Sequence, residues 1–288
     1  MAKKMDEKSY HAHIARIKAV RYVVLILLAI LCLFPLYIMI INATHESHEI
    51  TRGLLLIPGT WVVKNLTNTL TDASIPILRA LLNSLLISAA CALCTTYAST
   101  LTAYAVHAYD FKGRKAIQTF ILAIMMIPSQ VTALGFYDLM KSFGLLDNYI
   151  PLIIPTIAAP VVYFFMLQYM QSSLPLEIVE AARIDGSGEF RTFNSIVLPI
   201  MKPAIAVQAI FAFVTNWNNY FTPQLIINKQ SLWTLPIVIA KLRAADFLSF
   251  DNGKVYMAMV LSILPVVIVY LFLSRYIIQG VAVGSVKG

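Results

Sequence analysis

Three groups of polar residues interrupt an otherwise apolar chain. The longest lies between Gln171 and Pro203 and holds Glu177, Glu180, Arg183, Asp185, Glu189, Arg191 and Lys202, four acids and three bases that sum to −1. A dense but nearly neutral set of charges around two adjacent alanines, Ala181 and Ala182, suits a face that another protein approaches closely. It does not suit an anchor for anionic lipid, which needs clustered bases. The second group is Asn216-Trp217-Asn218-Asn219-Tyr220. Planar amides and aromatic rings hold sugars by hydrogen bonds and stacking. The same amides also join membrane helices to one another, and Trp217 and Tyr220 suit the membrane interface. The third group contains metal-ligand residue types, His45-Glu46-Ser47-His48-Glu49 and Cys91-Ala92-Leu93-Cys94. No further ligand cluster follows the first, which reads as a solvated loop. The cysteines sit in an apolar run without the extra ligands or βαβ context of zinc or redox motifs, so they read as helix-packing residues. Neither is expected to bind metal.

The elements that must position these groups follow from composition. Of 288 residues, 59% are hydrophobic and only 12% charged, with mean hydropathy +0.76. Soluble domains carry about 25% charged residues, and disorder requires low hydrophobicity. The fold class is therefore an all-α polytopic membrane protein. Runs long enough to cross a bilayer, about 20 residues, predict six transmembrane helices, over 22–42, 80–109, 116–137, 148–172, 204–228 and 255–274. Residues 1–21 precede them, and 275–288 follow. Segments 43–79 and 229–254 read as outer loops, because the apolar stretches 54–63 and 231–240 are too short to cross. The basic start is followed by a run too long for a signal-peptide core, so the first span reads as retained.

Basic residues set the orientation. With the N-terminus inside, Lys3, Lys4, Lys8, Arg16, Lys18, Arg21, Lys112, Arg114, Lys115, Arg183, Arg191, Lys202, Arg275 and Lys287 face the cytoplasm. Arg52, Lys64, Arg79, Lys141, Lys229, Lys241, Arg243 and Lys254 face outward. Both termini are expected in the cytoplasm, and the net charge of +8 orients the chain rather than marking a nucleic-acid partner. No Asp, Glu, Lys or Arg lies inside the six runs. Ion-coupled carriers usually need an intramembrane ionisable group or ion site, so this absence argues against a self-powered channel or ion-coupled carrier. No paired carboxylate or His cluster sits at one depth, which disfavours a membrane enzyme. Pro151, Pro155 and Pro160 should kink or partly unwind the start of the fourth span.

The segment 173–203 reads as a helix–turn–helix. Ser173 can cap the first helix, with Pro175 in its first turn. Gly186 fits the left-handed position that stops a helix, and Ser187 can cap the second. Pro199 and Pro203 should end that second helix before the fifth span.

These residues carry a resemblance. Glu180-Ala181-Ala182, then Gly186, Ile196 and Leu198-Pro199, resembles the EAA motif of ABC importer permeases at every spacing. Ser187 replaces an alanine frequent there. The stretches 216–223, Leu232-Trp233-Thr234-Leu235-Pro236, Asn83-Ser84-Leu85 and 280–288, with Pro58 and Trp61, are similar to the maltose-type carbohydrate branch, nearest its six-helix partner subunit. The resemblance implies a type I ABC importer permease fold, one permease domain over about 75–280, and a multi-pass location in a bacterial cell membrane. It implies partners: a second, different permease, two ATP-binding cassette subunits and an extracytoplasmic solute-binding protein, besides membrane lipid. Glu180, Ala181, Ala182, Asp185 and Gly186 would couple to the ATPase. Asn216, Trp217, Asn218, Asn219 and Tyr220 would line the substrate pathway. The cargo would be a carbohydrate such as an oligosaccharide, with a polyol or glycerol-phosphate ester as the alternative. The chain lacks a G-x-x-x-x-G-K-[ST] loop, so ATP and magnesium are expected on the partner ATPase and no cofactor on this chain.

Overall fold

A computed structural model describes residues 7–244 and 250–285. Lys3, Lys4, Lys287 and the last residues of the 280–288 resemblance lie outside the described residues. The helices are α1 (Glu7–Asn42), α2 (Ser47–Arg52), α3 (Val62–Thr71), α4 (Ile77–Ala108), α5 (Arg114–Ile124), α6 (Ser129–Ser142), α7 (Ile150–Ile153) and α8 (Pro160–Ser173). They continue with α9 (Leu176–Ile184), α10 (Glu189–Thr192), α11 (Leu198–Trp217), α12 (Phe221–Ile226), α13 (Leu235–Arg243) and α14 (Asn252–Ser285). Short 3₁₀ turns cover Ile154–Ile157 and Gln230–Leu232, and a π-turn covers Phe193–Val197.

Among the described residues, five stretches are long and apolar enough to cross a membrane: His13–Asn42, Ile77–Ala108, Ile150–Ser173, Glu189–Trp217 and Asn252–Phe272. The run expected to cross at 116–137 is instead two helices, α5 and α6. Pro128 stands between them in extended conformation, where it cannot continue a helix. Several helices also extend beyond the uncharged runs and carry charges near their ends, such as Arg79 in α4 and Lys202 in α11.

The chain forms two compact units. The first comprises Met1–Thr71 and Asp246–Val260. The loop that follows α1 is held by a buried amide: Asn65 Nδ2 donates to the carbonyls of Ala43 (2.9 Å) and His45 (2.8 Å). Gly253 presses on that amide so closely that a Cβ there would lie 2.6 Å from Asn65 Oδ1. The 54–63 stretch is pinned rather than loose. The Gly59 N–H donates to Thr44 Oγ1 (2.7 Å), the Trp61 N–H donates to the Thr44 carbonyl (2.8 Å), and the Lys64 ammonium lies 3.6 Å from the Trp61 ring centre.

The second unit, Asp72–Ala245 with Leu261–Gly288, is built on α4, which packs along α11 and α8. One core joins Ala103, Tyr104, Met166, Met170, Val179, Phe193, Val197 and Met201. A second joins Ile87, Cys91, Met140, Leu152, Ile226 and Ile237. The 231–240 stretch is packed rather than loose: Leu235, Ile237 and Val238 of α13 are fully buried. Asn83 and Ser84 of α4 secure it, Asn83 donating to the carbonyls of Ser231 and Trp233, and Ser84 Oγ accepting the Leu235 N–H (2.8 Å).

The three prolines unwind the start of the fourth span as expected. Helix α7 passes into a 3₁₀ turn, breaks at Ala158–Ala159 and restarts at Pro160. Pro160 has no N–H for the Thr156 carbonyl four residues back. Thr95 Oγ1 of α4 donates to that carbonyl instead (2.8 Å), and one turn earlier the Cys91 thiol donates to the Leu152 carbonyl (3.3 Å). Thus Cys91 serves packing and backbone satisfaction.

Candidate functional site

Helix α9 and its turn have the expected form with shifted boundaries. Pro175, not Ser173, stands at the N-cap, in the extended conformation that proline favours. Helix α9 stops at a Schellman turn: the Ser187 N–H donates to the Ala182 carbonyl (2.9 Å) and the Gly186 N–H to the Arg183 carbonyl (3.0 Å). Gly186 takes φ +76°, left-handed, with open space around it. Gly188 then caps α10, while Ser187 Oγ accepts from Thr192 Oγ1 (2.9 Å).

Pro199 and Pro203 do not end the second helix. Helix α10, the π-turn and α11 run on without a break. The π-turn immediately precedes Pro199, and the Leu198 N–H reaches back five residues to the Phe193 carbonyl. Such widened turns re-route backbone bonds where a proline removes one. The second arm of the loop and the fifth span are therefore one rod.

Helix periodicity separates two faces of α9. Glu177, Glu180, Ala181 and Ile184, at i, i+3, i+4 and i+7, are all exposed, Ile184 to 86%. Val179 and Ala182 face inward, Ala182 at 7% exposure. The structure therefore corrects one expectation: Ala181 lies on the open face, whereas Ala182 packs into the protein's own core. Asp185 and Gly186 are exposed at the turn. Ile184 and Phe190 (73% exposed) add an apolar element on either side of that turn. Motif spacing alone missed them, although the phase set by Val179 and Ala182 would have revealed it.

The amide group is placed differently from expectation. Helix α11 ends at Trp217, with Asn218 at its C-cap and α12 starting at Phe221, so Asn216–Tyr220 marks a break rather than a span interior. Trp217 is only 3% exposed, so it is no interfacial anchor. It stacks on Phe213 (5.6 Å), and its Nε1 donates to the Ser262 carbonyl (3.1 Å). Asn216 Nδ2 donates to the Ala212 carbonyl (2.8 Å), and Asn219 Oδ1 accepts the Thr222 N–H (3.3 Å). Beyond the break, Asp147 Oδ1 accepts the N–H groups of Asn228 (2.6 Å) and Lys229 (2.8 Å). The Lys229 N–H, foremost, holds the Asp147 carboxyl below its ordinary value.

The five residues divide among cavities. Asn218 and Tyr220 border one of about 260 Å³ with Trp217 and Arg243. Asn216 and Asn219 border another of about 250 Å³ beside Pro151, Pro155 and Thr156. Asn216 and Thr156 also line a cavity of about 740 Å³ with Thr95, Gln208, Thr215, Phe165 and Phe211. One large cavity beside the unwound half-span is thus lined mainly by apolar side chains, the rings of Phe165 and Phe211 among them, with a few polar groups interspersed. Of the expected five, only Asn216 belongs to it. Its other polar lining residues are Thr156 and Gln208, each single in an apolar run, Thr95, which belongs to the hydroxyl-rich stretch 95–102, and Thr215, which adjoins Asn216.

Apolar helices long enough to cross a membrane, a cavity beside an unwound half-span and an exposed charged helix together suit a membrane transport subunit. Residues 96–283 match the family described as binding-protein-dependent transport system inner membrane component, and the chain belongs to that family. It is a multi-pass membrane protein of the bacterial inner-membrane type. It is 36% identical over 209 residues to the arabinooligosaccharides transport system permease AraQ of Bacillus subtilis (72% of each chain). To the trehalose/maltose transport system permease MalG of Thermococcus litoralis it is 32% identical over 229 residues (78% of this chain, 81% of the other). Its fold matches a crystal structure of a bacterial ABC transporter that imports the acidic polysaccharide alginate, with TM-score 0.78 and 21% identity over 91% of this chain and 97% of the other.

Proposed function

We propose that this chain is one of two different membrane subunits of an ATP-driven importer that takes up a carbohydrate, an oligosaccharide foremost, by alternating access. Helix α9 is the coupling element. Its open face, Glu177, Glu180, Ala181 and Ile184, enters a cleft on a separate ATP-binding subunit, with Asp185, Gly186 and Phe190 at the turn. ATP and magnesium reside on two such subunits. An extracytoplasmic binding protein delivers the cargo. Helices α5 and α6 together make one crossing despite their break, which gives six crossings and both termini in the cytoplasm. Ala182 supports the lever from within.

The observation that carries this reading is α9 itself, held rigid by the Schellman turn while its charged and apolar outer stripe stays uncovered. For the cargo, the support is the oligosaccharide permeases among the relatives, beside which stand the aromatic rings and few polar groups in the mainly apolar lining of the 740 Å³ cavity. Its described lining contains no Lys or Arg, and a phosphate dianion would need such a partner. That favours a neutral sugar over a glycerol-phosphate ester.

Affinity purification of the tagged chain from its native membrane tests the reading. A stoichiometric ATPase and a second permease are expected, and the reconstituted complex should take up labelled oligosaccharides in an ATP-dependent way. Isolation of the chain alone, with uptake driven by an ion gradient, would refute it.

A further inference from the structure

The turn that ends α9 is tied back to α4 by a compact polar assembly. Arg183 Nε donates to Glu189 Oε1 (2.7 Å), bridging the last turn of α9 and the first of α10. The other carboxylate oxygen, Glu189 Oε2, accepts the hydroxyl of Tyr104 (2.9 Å), a buried residue of α4. The Arg183 guanidinium lies 5.1 Å from the ring centre of Tyr109, which meets Tyr104 edge-on at 6.0 Å. One carboxylate therefore holds three elements together: α9, α10 and α4.

Two flanking contacts follow the same route. His107 Nε2 lies 3.0 Å from the Leu174 carbonyl just before α9, and Tyr97 Oη donates to Asn194 Oδ1 (3.2 Å) in the π-turn. Phe193 of that turn is fully buried between the rings of Tyr97 and Tyr104, at 5.5 and 5.6 Å. Mechanically, the π-turn is the weak point of the rod running from α10 into α11, because a widened turn bends more readily than a regular one. Force applied to α9 alone would be absorbed there.

We propose that the Arg183–Glu189–Tyr104 clasp passes the displacement of the coupling helix to α4, so that α4 and α11 move together. Tyr104, which is buried, and Arg183 and Glu189, whose side chains stay partly open to solvent at the turn, are then positioning residues separate from the stripe of α9 that meets the ATPase. This rests on the reading of α9 as the coupling element.

The test uses the intact complex reconstituted in liposomes, with Glu189→Gln, Arg183→Lys and Tyr104→Phe made singly. Each keeps nearly the same side-chain shape. Sugar imported and ATP hydrolysed are measured on the same vesicles. Import per ATP should fall about 10-fold for Glu189→Gln and several-fold for the other two, a tenfold change matching about 1.4 kcal/mol, while ATPase activity stays near wild type. Tyr104→Phe combined with Glu189→Gln should be no worse than Glu189→Gln alone, since both break one connection. An unchanged import-per-ATP ratio would overturn the clasp. So would a parallel fall in both activities, or failure of all three variants to assemble, each of which assigns these residues to folding alone. A wild-type complex without ATPase would instead defeat the coupling reading itself.

Discussion

The loop at 176–198 and the break at 216–220 both gather polar side chains but use them in opposite ways. At the break, the hydrogen-bonding groups of Asn216, Trp217 and Asn219 serve the neighbouring backbone. They stabilise the break between α11 and α12, and of the three only Asn216 also lines the large cavity. In the loop, backbone satisfaction falls to the Schellman turn, which leaves Glu177, Glu180 and Asp185 exposed on the outside. A polar residue that caps its own chain is engaged already, and one freed from that duty is available to a partner. Residue type does not distinguish the two, but backbone geometry does.

The largest effects should come from the adjacent alanines, which lie on opposite faces of α9. Ala182→Leu forces extra volume into the core beside Val179 and should destabilise by about 1–3 kcal/mol, read as loss of monodisperse protein on detergent size exclusion. Ala181→Leu should leave thermal stability unchanged but lower ATPase recovery about 10-fold, because it blocks close approach by the partner. Equal behaviour of the two variants would erase the distinction between inner and outer face.

Trp217 offers the matching test at the break. Trp217→Phe keeps an aromatic ring against Phe213 but leaves the Ser262 carbonyl without that donor. The cost of the lost bond should be about 1 kcal/mol of stability, seen in thermal unfolding, with the KM for sugar unchanged in the folded fraction. A raised KM without loss of stability would move Trp217 from structural support to substrate contact.

Gly186 should be less sensitive. A Cβ there meets nothing within 4 Å, so the penalty is purely conformational. Gly186→Val should cost about 1–2 kcal/mol or slightly more for its branched side chain, and Gly186→Asn, which tolerates the left-handed region, clearly less. Thermal unfolding of the two variants provides the measurement, and equal losses would point to a steric contact instead.

Much of this was legible in the sequence for physical reasons. Uncharged runs marked the membrane segments, Pro151, Pro155 and Pro160 foretold the unwound half-span, and Gly186 located the turn. The split of the third run and the continuity of α10 with α11 were not legible. A proline's effect depends on whether a π-turn or a neighbouring hydroxyl can take over the lost bond, and Thr95 and Phe193–Val197 reveal that only in three dimensions. The cavity residues Thr156 and Gln208 were hidden because a lone polar residue in an apolar run has no spacing to read, and Thr95 because the neighbouring hydroxyls of its helix mostly bond their own backbone or lie buried.

The smallest effect expected extends the comparison to the outer loop, where charge is again spent on the chain itself. Both ring nitrogens of His45 face oxygens, Nδ1 toward Glu49 Oε2 (2.7 Å) and Nε2 toward the Ile57 carbonyl (2.8 Å). Only the imidazolium can donate to both. The Ile57 carbonyl, then Glu49, raises the His45 pKa above its ordinary 6.5, and the bond from His45 lowers that of Glu49 below 4.5. A raised His pKa gives stability that is complete below 6.5 and lost as pH rises through the folded value. A lowered Glu pKa gives stability that is complete above 4.5 and lost as pH falls through its own folded value. The pair should therefore stabilise the loop most between pH 4.5 and 6.5. On going from about pH 8 to about pH 6, the wild-type unfolding temperature should rise relative to that of His45→Gln, whose amide cannot gain the charge. A constant difference between the two proteins over that range would mean that the His45 ring does not change protonation with folding, and that this loop is held by its other contacts, those of Asn65 and Thr44 among them.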